Sequence, residues 1–215
     1  LLSVRYRPRN GLAARLGDRK LLVELIDYPG EWLLDLWLQR YDYERWCQDV
    51  LREMETPESG PEAKRFLEYI NSLDYDRPGA PDLEQKAQTA ARLFKAYVNA
   101  RRDITGRANT LHPGRFLLPG PGQDASMPAL TFAPLPAAVG QFWPRQLQRK
   151  ATLRRVMAER FDSYQRTVVR PFFRQNFARL DKQVVLIDLL GHLTRDGGGV
   201  PLLDGELRDI QSALR

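Results

Sequence analysis

Lys20-Leu21-Leu22-Val23-Glu24-Leu25-Ile26-Asp27-Tyr28-Pro29-Gly30-Glu31-Trp32 is the stretch on which the reading of this chain turns. Its first seven residues, rich in Leu, Val and Ile, predict a deeply buried strand. Asp27-Tyr28-Pro29-Gly30 stops that strand. From Glu31 the apolar spacing becomes helical, with Leu36, Tyr43, Cys47, Val50 and Met54 on one face, and the helix is expected to end near Thr56-Pro57. A carboxylate at the C-terminal end of a buried strand stands where open α/β sheets place their ligands. In P-loop nucleotide triphosphatases such an Asp holds magnesium, directly or through water, and a following glycine lets its amide approach a terminal phosphate. The bland alternative is that Pro-Gly simply builds the turn before a helix. Asp-x-x-Gly also occurs at Asp76, Asp103, Asp188 and Asp196, but only Asp27 and Asp188 follow an apolar strand.

Upstream, Leu1 to Arg7 alternates apolar and polar residues and Asn10-Gly11 supplies a turn, which predicts an antiparallel pair with the strand at Lys20. The chain opens without methionine inside this apparent strand, so further residues are expected upstream. Downstream, Pro61 to about Leu73 and Pro81 to about Ile104 read as neighbouring amphipathic helices with proline in the first turn. Residues 107–144 hold seven of the fifteen prolines and read as a long irregular excursion. Arg145 to about Leu180 returns to helix, with Leu147, Leu153, Val156, Met157, Phe161, Tyr164 and Val168 as its stripe and Pro171 interrupting it. Gln183 to Leu190 reads as a third buried strand, ended by Asp188 near any ligand pocket, and Glu206 to Arg215 as a last amphipathic segment. The expected fold is therefore α/β, a sheet interrupted by a large, mostly helical insertion. Residues 1–31 and 181–215 belong to the sheet and 32–180 to the insertion.

At 215 residues, with 43% hydrophobic and 28% charged side chains, the composition is that of a folded globular protein. One cysteine and two histidines exclude a disulfide scaffold and a zinc site of the usual Cys and His type within this sequence. Cys47 reads as a small packed residue, His112 and His192 as surface or capping residues, and Trp32, Trp37, Trp46 and Trp143 as core or contact residues. No signal peptide or apolar run of membrane-spanning length is present, which leads to the expectation of a cytoplasmic protein. The net charge of +6 is unevenly spread: Arg145 to Arg179 has ten Lys or Arg against Glu159 and Asp162, a local +8. Such a basic helix suits a partner protein or the anionic surface of the inner membrane, or is an ordinary solvated face. Nucleic acid fits less well, because aromatics are not interleaved with the cations in a strand-binding pattern.

Four segments carry a resemblance: Leu25 to Leu36, His112-Pro113-Gly114-Arg115-Phe116-Leu117-Leu118-Pro119-Gly120, Val169-Arg170-Pro171-Phe172-Phe173, and Leu180 to Asp188. Spread in order across the chain, they resemble the YcjX-like stress-protein family, bacterial P-loop proteins similar to Ras-like GTPases with an added helical domain. The resemblance implies part of a Ras-like P-loop sheet and a GTP-binding, GTP-hydrolysing protein acting as a switch or slow GTPase. It implies Mg²⁺ and GTP or GDP as ligands, with Asp27 and Gly30 as the phosphate and magnesium residues of the Asp-x-x-Gly motif. Asp27 would reach the metal through water. Glu31 stands where Ras-like enzymes carry the glutamine that positions attacking water, and is the implied catalytic residue; its alternative duty is to stabilise a helix N-terminus. The sequence has no Gly-x-x-x-x-Gly-Lys-[Ser/Thr] loop and no [Asn/Thr]-Lys-x-Asp segment. Family members carry these before and after the stretch matched, so the chain is expected to be the central portion of a longer protein. The rival reading is a noncatalytic helical module that binds a partner protein or an anionic membrane through the basic helix.

Overall fold

The computed structural model describes residues 1–9, 17–105, 111–123, 127–138, 149–175 and 179–182, together with Val184, Leu186 and Arg208. Strands β1 (Leu2–Tyr6) and β2 (Arg19–Val23) form the expected antiparallel pair, with Val4 opposite Leu21. The expected depth is not found. β2 ends at Val23, and Leu21, Leu22 and Leu25 are 51%, 60% and 70% exposed. An uninterrupted apolar run presents side chains to both faces of a ribbon, and both faces of this two-stranded ribbon are open to solvent in the described residues.

The helix expected from Glu31 to Thr56 is three pieces. A 3-10 turn, Gly30–Leu34, leads into a single helical turn, α1 (Asp35–Leu38). The chain then breaks and restarts as α2 (Tyr43–Met54). A local cap and a long-range contact produce the break. The Asp42 carboxylate accepts the Arg45 amide N–H at 2.8 Å and so caps a new N-terminus. The Gln165 side-chain amide donates to the carbonyls of Leu38 (2.5 Å) and Tyr41 (2.9 Å), taking acceptors that continued helix would have used. Leu36 and Tyr43 are seven residues apart, which the helical period cannot distinguish from an unbroken helix.

Helices α3 (Gly60–Asn71) and α4 (Leu83–Thr105) pack together as expected from their apolar faces. The long C-terminal segment forms α6 (Leu153–Tyr164), a π turn (Gln165–Val169) and α7 (Arg170–Gln175); Thr152 caps its start by accepting the Arg155 N–H. The expected interruption at Pro171 takes the form of this wide turn. Proline has no N–H to offer Thr167 four residues back, and i→i+5 bonding absorbs the lost bond without ending the segment.

The largest correction concerns 107–144. In place of an excursion, its described parts run through the middle of the helices, where His112–Leu117 and Ala129–Leu135 are buried. They include α5 (Gly114–Leu117) and a 3-10 turn, Pro128–Leu130. Irregular backbone is tolerated in a core only when its polar groups are paired, and here side chains supply the partners. Trp46 Nε1 donates to the Leu111 carbonyl at 2.8 Å and the Tyr43 hydroxyl to the Ala133 carbonyl at 2.7 Å. The Leu135 N–H meets Cys47 Sγ at 3.3 Å, and Arg160 donates to the Thr131 carbonyl. Phe116 and Phe132 from this segment pack with Trp46, Phe161 and Tyr164 into one aromatic core.

His112, expected as a surface or capping residue, is 1% exposed, edge-on to Phe94 and Tyr97, with Nε2 3.5 Å from Glu53 Oε2. Cys47 is the packed residue expected, and burial pushes its thiol up to about 12. Of Gln183–Leu190, Val184 and Leu186 are exposed and in no strand; the rest, with Asp188, His192 and Trp143, lies outside the described residues. The expected amphipathic segment at 206–215 also lies outside them, except for the helical Arg208. Among the described residues no helix is long and apolar enough to cross a membrane.

Candidate functional site

Asp27 lies between the end of β2 and the 3-10 turn, Gly30 opens that turn, and both are exposed. The Trp32 N–H closes the turn on the Pro29 carbonyl at 3.1 Å. Gly30 is not a glycine that the fold requires. Its φ is not in the left-handed region, and a Cβ placed on it would meet nothing within 4 Å. A glycine with open space over it leaves room for close approach of a ligand to its amide. Asp27 is a hard oxygen donor of the kind magnesium takes. Among the described residues no group of three or more His, Cys, Asp or Glu is placed to hold a metal alone. That donor set fits an ion held by one carboxylate together with water and phosphate oxygens, the usual arrangement for magnesium.

Glu31 is half-buried, and its backbone meets the core at one point. A Cβ on Gly114 would stand 2.0 Å from the Glu31 carbonyl oxygen, so any larger residue there must displace the turn. The adjoining residues form a buried polar cluster that sequence reasoning missed. Asp35, 1% exposed, accepts the Gly114 N–H at 2.8 Å and the Tyr164 hydroxyl at 2.7 Å on Oδ1. The same hydroxyl accepts the Arg115 N–H at 3.2 Å. Arg115 Nε lies 3.7 Å from Asp35 Oδ2, and neither atom has a hydrogen bond among the described residues. The Arg115 guanidinium carbon stands 3.2 Å from the centre of the Trp32 ring and 5.0 Å from that of Phe172, and Phe172 meets Trp32 and Tyr28 edge-on. Apart from Tyr164, the residues around the turn come from three of the four segments that carry the family resemblance. The only local hint was a carboxylate within Leu33-Leu34-Asp35-Leu36; its hydroxyl partner is 129 residues away.

Burial raises the Asp35 carboxyl from its ordinary 3.8 to about 7, against the opposing pull of Tyr164, Gly114 and Arg115. The folded state therefore binds this proton more tightly than the unfolded chain. Stability from this group is fully present below about pH 4 and is lost as pH rises through about 7, with a slope of up to about 1.4 kcal/mol per pH unit between them. Urea midpoints from pH 4 to 8 should show this decline in the natural chain and not in Asp35→Asn. Equal slopes in both would refute it.

The basic segment is less free than its composition implied. Arg154 makes a two-pronged ion pair with Asp76, Arg155 pairs with Glu159, and Arg160 with Glu84.

The model of the YcjX-like family, DUF463, matches residues 1–215. The chain is similar to the Ras-like GTPase YcjX of Shewanella oneidensis, 34% identical over 196 residues, which cover 90% of this chain and 39% of that protein. It is similar also to the Ras-like GTPase YcjX of Escherichia coli K12, 32% identical over 192 residues, 88% of this chain and 39% of that protein. The match thus spans about two fifths of the length of these relatives.

Proposed function

This chain belongs to the YcjX-like family, and on that premise we propose that it carries the phosphate-sensing motif and helical insertion of a Ras-like GTPase that binds GTP and GDP with Mg²⁺ and works as a switch or slow hydrolase. Its relatives are named Ras-like GTPases, which supports the reaction class. The observation that carries the residue assignment is Gly30, an exposed glycine with open space beside it, three residues after the exposed Asp27. Asp27 would hold the magnesium through water, and the Gly30 amide would donate to the terminal phosphate. Glu31 accepts a hydrogen bond from the attacking water and orients it. Bound magnesium supplies neutralisation of the charge that develops on the phosphate oxygens. The rival, a module that meets an anionic surface through the basic helix, is weakened by the pairing of Arg154, Arg155 and Arg160 with acidic neighbours.

The test uses the full-length protein containing this chain. Asp27→Asn should weaken magnesium-dependent GTP binding about tenfold or more, since it removes the charge that faces the metal. Glu31→Ala should spare affinity and slow single-turnover hydrolysis about 100-fold, the low end of what a positioned acid or base contributes. Unchanged hydrolysis in Glu31→Ala would return that residue to the role of a first-turn carboxylate.

A further inference from the structure

Besides the local bond from the Trp32 N–H to the Pro29 carbonyl, long-range groups from the helical core hold the backbone after Gly30. The Trp32 indole N–H donates to the Leu118 carbonyl at 2.8 Å. Asp35 plugs into the Gly114 N–H and the Tyr164 hydroxyl, at 2.8 and 2.7 Å, with Arg115 beside it. One turn later Gln165 donates to the carbonyls of Leu38 and Tyr41. Between these anchors Gly114 abuts the Glu31 carbonyl, closer than any Cβ would permit. The backbone from Glu31 to Tyr41 is therefore fixed by the helical core, while Asp27 and Gly30 stay exposed.

We propose that the helical core positions Glu31 through this socket, with Asp35 as the plug, Gly114 and Tyr164 as the positioning residues that receive it, and Gln165 as the residue that holds the backbone one turn later. The inference rests on the assignment of Glu31 to water orientation and deepens it. A group that orients water must be held within about 0.5 Å, and displacement by about 1 Å costs on the order of 100-fold in rate. A five-residue 3-10 turn has poorly aligned hydrogen bonds of its own and does not supply that rigidity alone. Tyr164 ends α6 and Gln165 opens the π turn, so the helical irregularity stands at the socket, a placement usual for π turns that serve a site. The insertion is thus more than an appendage beside the nucleotide motif. It is the wall against which the motif is set.

Tyr164→Phe and Gly114→Ala in the full-length protein test this with two measurements, single-turnover GTP hydrolysis and amide hydrogen exchange. The first variant keeps the ring and removes the hydroxyl that Asp35 accepts; the second pushes a methyl against the Glu31 carbonyl. Both should slow hydrolysis about tenfold or more with nucleotide affinity within about twofold, the pattern of an interaction lost in the transition state. Exchange should quicken over Glu31 to Leu38 while α3 and α4 keep their protection, which a general loss of stability would not allow. Should Gly114→Ala fail to fold, Tyr164→Phe decides alone. Unchanged exchange over Glu31 to Leu38 in Tyr164→Phe, or quickened exchange with undiminished turnover, overturns the socket and leaves the GTPase reading standing. A natural protein that does not hydrolyse GTP removes the GTPase reading, and the socket's catalytic role with it.

Discussion

Trp46→Ala lowers the stability of the helical core by about 3–5 kcal/mol, the range for deleting a large aromatic from a well-packed interior. Trp46 is fully buried and meets Tyr43, Phe94, Phe132 and Phe161, with ring centres 4.9 to 6.0 Å away. Its indole N–H is also the partner of the Leu111 carbonyl, so truncation leaves that acceptor without its donor as well as opening a cavity. Trp46→Phe helps to separate the two effects, since it loses the donor and keeps most of the volume. Urea unfolding followed by circular dichroism measures both. A cost under about 1.5 kcal/mol for the alanine variant, the scale of an ordinary substitution, would mean that the packing around Trp46 is not as described.

Asp35→Ala at pH 8 costs a similar amount, about 3–5 kcal/mol, through electrostatics and unmade hydrogen bonds. At that pH the Asp35 carboxyl, raised to about 7, is ionised beside Arg115, which is itself 4% exposed. Removal of the carboxylate strands the guanidinium in the core and leaves the Gly114 N–H and the Tyr164 hydroxyl without their acceptor. The pair need not be net stabilising for this to hold. Breaking one half of a buried pair is costly even where replacing both halves is not. Asp35→Ala combined with Arg115→Met should therefore recover part of the loss. A double variant as unstable as the sum of its single variants would show that the two residues do not act as a pair.

The helices were legible in the sequence because each buries one face, and one face leaves a periodic trace. Phe66 and Ile70 on α3, Ala87, Ala90, Ala91, Phe94 and Val98 on α4, and Leu153, Met157, Phe161 and Tyr164 on α6 recur at three and four residue steps, and all are buried. The antiparallel ribbon was legible from the alternation of Leu1 to Arg7, the turn at Asn10-Gly11 and the apolar run from Lys20. Its depth was not, because an apolar run states only that a strand has apolar sides and not what covers them. The segment 107–144 was misread because proline and missing periodicity are signs of irregular backbone, and irregular backbone is ordinarily at the surface. Its burial here depends on Tyr43, Trp46, Cys47 and Arg160, which lie far away in sequence and have no pattern that points to it.

The amino-acid sequence by itself determined the helices that bury one periodic face, the antiparallel pairing of the first two strands, the turn at Asp27 to Gly30 and membership of the YcjX-like family, all of which depend on neighbouring residues or on short motifs read in order. Only the tertiary structure decided that Asp35 is a buried and proton-holding carboxyl, that His112 is interior, that Gly114 must be small, and that Gln165 breaks the helix after Leu38. Each of these depends on a contact between segments about 60 to 130 residues apart, and the desolvation and hydrogen bonding that fix their chemistry exist only once the chain has closed around them.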